Sequence, residues 1–146
     1  MFLVPRSERL TLLNGFSALA DWVGAIIKLF KVDNTPTLDT TVADLTAIEA
    51  DYDGYAASSA VVWGSAFLEP LTSDAVSAGG SKTFVKTAGI VTNTVYGWWL
   101  ESAGGDLLAA GKFDTPLSFV NVGDGYVLTP EIRYGGTNLG EMNVLV

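Results

Sequence analysis

The stretch Thr94-Val-Tyr-Gly-Trp-Trp-Leu-Glu-Ser-Ala-Gly-Gly-Asp-Leu-Leu-Ala-Ala-Gly-Lys-Phe-Asp114 decides how the rest of the chain is read. Residues 94–102 are rich in aromatic and branched side chains, as a strand is. Residues 103–106 supply a glycine turn, and Leu107–Phe113 runs back as a second strand. Strict alternation puts Tyr96, Trp98 and Leu100 on one face and Val95, Gly97 and Trp99 on the other. Both faces carry large apolar groups. That suits a central hairpin with one side in the core and the other against a partner. Trp98 is assigned to the core, and Trp99, which shares its face with Glu101, to an interface.

Working outward toward the N-terminus, Met1–Arg6 reads as an extended arm, because Pro5 restricts the residue before it. Ser7 is a candidate N-cap, and Leu12, Phe16, Leu19 and Val23 recur at helical spacing, so a short amphipathic helix is expected over 8–20. Arg6 and Arg9 before Leu10–Ala20 have the outline of a secretory signal, but Asn14, Gly15 and Ser17 interrupt its apolar run. Ala25–Lys31 is the first strand, and 33–39 is a loop by its turn residues. Asp44–Ala50 is expected to make one or two helical turns. Ala56–Trp63 is read as a second strand, with weaker ones near Asp74–Ser77 and Thr83–Lys86.

Beyond the hairpin come a strand at Leu117–Val122, a Gly123-Asp-Gly125 turn and the cleanest strand of all, Tyr126–Tyr134. There Val127, Thr129, Glu131 and Arg133 face water, while Tyr126, Leu128, Ile132 and Tyr134 face in. Gly135–Val146 is an apolar tail. The expected fold is mainly β: one antiparallel β-sandwich or jelly-roll domain spanning 1–146, with the arm and helix (1–22) before it and the tail (135–146) after it.

Composition narrows the chemistry. The 146 residues contain no cysteine and no histidine, so thiolate sites and the usual neutral-pH base are missing. No nucleophile motif, phosphate loop or dinucleotide fingerprint is present. The net charge of −8 disfavours nucleic acid. No run is long and apolar enough to cross a membrane as a helix. Eight acids and no base lie between Lys31 and Lys82, and Asp51-x-Asp53-Gly54 is a fragment of a calcium loop without its downstream glutamate. A solvated acidic face is the preferred reading, over a weak cation site. Tyr52, Tyr55, Trp63, Trp98 and Trp99 could stack on sugars, but strand aromatics are more often core. No catalytic, cofactor-binding or metal-ligating residue is assigned, and the chain is read as non-enzymatic.

Charged residues make up only 16% of the chain and mean hydropathy is +0.34. An average soluble domain is about 25% charged, so some surface is expected to be covered in an assembly. The expected interface residues are Phe2, Leu3 and Val4 in the arm, Trp99 in the hairpin, and Met142, Val144 and Leu145 in the tail.

Several short motifs resemble a pattern common among small virion structural proteins of tailed bacteriophages. They are Leu3-Val-Pro5; Leu29-Phe-Lys-Val-Asp-Asn-Thr-Pro-Thr37; Ala43–Thr46; Gly54-Tyr-Ala56; Trp63-Gly64; Val95-Tyr-Gly97; Phe113-Asp114; the Gly-Asp-Gly turn; and Leu128-Thr-Pro130. The Trp98-Trp99 pair and the tail depart from that pattern. The resemblance implies a non-enzymatic virion component without cofactor. The leading expectation is a capsid decoration (cement) protein on the outer capsid surface, a homotrimer whose partner is the major capsid protein. The alternative is a receptor- or glycan-binding module of a tail fibre or tail tip.

Overall fold

The computed structural model describes residues 22–70 and 75–133, together with the backbone of 134 and of 141–145. The arm, the expected helix over 8–20, and Phe2, Leu3 and Val4 lie outside the described residues. The described chain is mainly β, with two antiparallel sheets. β1 (Ile26–Phe30), β5 (Asn93–Glu101) and β6 (Leu107–Phe119) form the first, in the order β1-β5-β6. The second contains β2 (Phe67–Leu68), β3 (Ala75–Ala78), β4 (Lys82–Val85), β7 (Gly125–Tyr134) and β8 (Glu141–Leu145).

β7 organises the second sheet. β3 pairs with its far end, Ala78 opposite Glu131, and β4 with its near end, Lys82 opposite Leu128. β3 and β4 thus act as one strand broken at Gly79–Ser81, and the break is bridged by a bond from Gly79 N–H to the Pro130 carbonyl (2.7 Å). On β7, Leu128 and Ile132 are buried and Val127 is exposed, as alternation requires. β8 pairs with β7, placing Met142, Val144 and Leu145 opposite Ile132, Pro130 and Thr129. Of the tail expected to reach outside the fold, residues 141–145 therefore have their backbone in the protein's own sheet.

The central hairpin forms as expected, but its faces differ. Val95, Trp98 and Leu100 enter one cluster, while Tyr96 and Trp99 pack in another. Strict alternation fails because the β5–β6 register slips between Val95 and Gly97, where β6 advances from Leu117 to Lys112 against two residues of β5. The larger cluster draws from both sheets: Ile27, Leu29, Trp98, Phe113 and Phe119 from the first, Phe84, Leu128 and Ile132 from the second. Tyr52 stacks on Phe119 within it, at 4.2 Å between centroids.

The smaller cluster, Phe30, Leu45 and Trp99, lies on the opposite face of the first sheet. Leu45 comes from α1 (Val42–Thr46), which opens on a capping box: Thr41 Oγ1 accepts from Asp44 N–H, and the Asp44 carboxylate accepts from Thr41 N–H. Five residues cannot hold a helix alone, so burying Leu45 under Trp99 is what keeps α1 in place.

Two expected strands are corrected. Residues 117–122 are not separate, since β6 runs unbroken to Phe119 and 120–124 turn. Ala56–Trp63 is not a strand; only Trp63 makes an isolated bridge, to Gly79. Residues 48–61 instead seal the outer edge of β1 with irregular bonds. Ile48 carbonyl accepts from Lys31 N–H (2.9 Å), and Ala50, Ser58 and Val61 donate to Leu29, Ile27 and Ala25. Side chains complete the seal: Tyr55 Oη accepts from Leu29 N–H (3.1 Å) and Ser58 Oγ from Ile27 N–H (2.8 Å).

Candidate functional site

Among the described residues a dense polar cluster is built on Lys86, just after β4. Its side chain is 1% exposed, although lysine is almost never buried without partners. The ammonium has three donors, and three carbonyls accept from it: Ala88 at 2.8 Å, Gly89 at 3.2 Å and Val91 at 2.8 Å. The Asp53 carboxylate stands 3.8 Å away and itself accepts from Val91 N–H at 2.7 Å. The loop after β4 therefore closes around its own lysine.

The backbone of Lys86 ties in a second loop. Its N–H donates to Asp124 and its carbonyl accepts from Gly123. Asp124 in turn folds the 120–124 turn: its carboxylate accepts from the N–H groups of Asn121 (2.7 Å) and Val120 (2.8 Å). Those two bonds, Asn121 first, hold the Asp124 carboxyl below the usual range. The third loop is 51–54, where Thr87 N–H donates to the Asp53 carbonyl. Gly54 sits at φ +90°, and a Cβ there would collide with Thr87 Oγ1, so glycine is required.

This arrangement accounts for the acidic fragment Asp51-x-Asp53-Gly54. Asp51 pairs with Lys31 at 2.5 Å, and its carboxyl is lowered by that bond first and by the Asn93 side-chain amide second. Asp53 serves Lys86 and Val91. Both acids hold the chain's own loops. Among the described residues no group of three or more candidate metal ligands converges.

Trp99, expected at an interface, is 0% exposed within the single chain, which overturns that expectation. The reason is α1: Leu45 covers the face that the hairpin alone would leave bare. The Trp99 indole N–H donates to Glu101 (3.1 Å), and Lys28 both pairs with Glu101 (3.0 Å) and sits 5.6 Å above the Trp99 ring. Trp98 is in the larger cluster as expected. Of the possible sugar-stacking set, Tyr52, Trp98 and Trp99 are buried; Tyr55 and Trp63 are half-buried. The Trp63 indole is engaged by the Trp22 carbonyl at 3.1 Å. Met142, Val144 and Leu145 are placed by backbone only.

Sequence reasoning missed Lys86 and the apolar side chains that its loops display. Ile90 is 93% exposed and Val122 64%, with Val91 and Val120 about half exposed beside them. No periodicity flags a buried lysine, because its partners are carbonyls, which every residue has. Compared with known proteins, the chain matches no family model, no curated protein and no solved structure.

Proposed function

We propose that the protein is a non-enzymatic virion component, a capsid decoration (cement) protein whose two sheets pack as a β-sandwich. In this reading it binds the outer capsid surface, as a homotrimer, and bridges adjacent copies of the major capsid protein. The observation that carries the proposal is where the side chains capable of chemistry go. Lys86, Asp53, Asp51, Asp124, Arg133 and Glu69 all tie the chain to itself, while aliphatic side chains stand in water on loops held rigid by them. A surface of that kind suits attachment. The phage resemblance of the short motifs supplies the setting. The mechanism is mechanical, because area buried across neighbouring shell subunits makes their separation cost more free energy.

A glycan-binding role on a tail fibre is less well supported, since an aromatic platform must be open, and Trp22, Trp98 and Trp99 are enclosed while the half-buried Trp63 donates its indole N–H to the Trp22 carbonyl. Mixing purified protein with undecorated shells tests the proposal. Saturable co-sedimentation at micromolar concentration is the expected result. Its absence, together with saturable binding to host cells, would favour the tail-fibre role.

A further inference from the structure

We propose that residues 88–91 and Asp53 form a cation site in which the Lys86 ammonium is the resident ion. With the Lys86 side chain shortened, the same site takes a free monovalent cation of the ammonium or potassium type. The site is internal, so it stands whether or not the protein decorates a shell.

Geometry is the first argument. Three main-chain carbonyls from one short run, Ala88, Gly89 and Val91, converge on a single point, with Nζ 2.8, 3.2 and 2.8 Å from them. Carbonyl dipoles aimed at one point repel one another unless positive charge sits there. The Asp53 carboxylate, 3.8 Å from Nζ, supplies the matching negative charge. Gly89 lets the run close: its φ is +70°, and a Cβ there would collide with the Asp53 carboxylate. The side chain of Lys86 is 1% exposed, so these oxygens stand where water would otherwise surround the ion. Backbone carbonyls replace the hydration shell of potassium in channels in the same way.

Size and charge select the class of ion. Calcium lies about 2.3–2.6 Å from its oxygens and magnesium about 2.0–2.1 Å, closer than these carbonyls approach. Ammonium donates N–H···O bonds of about 2.9 Å, which the site matches. One carboxylate balances one positive charge, whereas a divalent ion would leave a buried excess. The calcium-loop fragment Asp51-x-Asp53-Gly54 thus gives the site only Asp53, because Asp51 is paired with Lys31. A lysine takes the place of the ion.

The test uses the full chain and its melting temperature. Lys86→Met keeps an apolar stem and vacates the position of Nζ. Lys86→Ala removes the stem as well and leaves a slot the length of propylammonium. A ligand that binds only the folded form raises the melting temperature as its concentration passes the dissociation constant. Ammonium or potassium chloride should raise that of Lys86→Met by about 3–6 °C at ten times the dissociation constant, and propylammonium chloride that of Lys86→Ala. Tetramethylammonium chloride at equal ionic strength is bulky and has no N–H donor, so it should do neither. Wild type, its site filled, should respond alike to all four salts and be indifferent to calcium or a chelator. Equal responses of both variants to tetramethylammonium and to the smaller cations overturn the proposal. So does a pair of variants that stays unfolded in every salt. Stabilisation of the variants by calcium in preference to ammonium overturns the monovalent assignment.

Discussion

Trp98 and Trp99 are adjacent, yet each anchors a different cluster. Emptying a core aromatic site costs about 3–5 kcal/mol, so Trp98→Ala and Trp99→Ala should both destabilise the fold by that order. Urea unfolding of the two variants checks this; native stability in Trp99→Ala would restore it as an interface residue. That the pair faces opposite ways was legible from alternation. What covers the second face was not, because Leu45 lies more than fifty residues earlier and nothing local to the hairpin announces it. Lys86 makes the same point for polar groups. Lys86→Met would leave three carbonyls and the Asp53 carboxylate without their cation, at a cost of about 3 kcal/mol. A variant as stable as wild type would show that water satisfies them.

At the scale of elements, the edge of β1 shows where pattern reading stops. Residues 56–63 have the composition of a small-residue strand, but they and Tyr55 just before them meet β1 through Tyr55 Oη and Ser58 Oγ as well as through backbone, so no ladder forms. A side chain that substitutes for a backbone partner leaves no periodic trace. Tyr55→Phe removes the acceptor for Leu29 N–H and the donor to Glu49 (2.9 Å), which should cost about 1–2 kcal/mol. Hydrogen exchange gives the finer reading. The amides of Ile27, Leu29 and Lys31 should be slow in the wild type, and Leu29 should accelerate most in Tyr55→Phe. Uniform acceleration of all three would mean that the seal opens as a unit. By contrast β7 was read correctly at Leu128 and Ile132, since it pairs along both edges and its alternation is undisturbed.

For the whole molecule, ionisable groups set a stability profile with a wide plateau. Asp44, Asp51 and Asp124 have folded pKa values below their ordinary ones: Asp44 chiefly through Thr41, Asp51 through Lys31, Asp124 through the Asn121 N–H. A lowered carboxyl contributes stability that is present above its unfolded pKa and lost as pH falls through the folded one, so stability declines on the acid side. Tyr52 and Tyr55 are shifted the other way, upward by burial from 10.0. Their contribution is present below pH 10 and is lost as pH rises beyond it, because the unfolded chain can release those protons and the folded chain resists. Between the two limbs the chain has no histidine and no cysteine to titrate. Melting temperature should therefore be nearly flat from about pH 5 to about pH 9, and should fall on either side. Tyr55→Phe should shallow the alkaline limb, and Asp51→Asn the acid one. A step in melting temperature near neutrality would contradict this, since no described side chain could produce it.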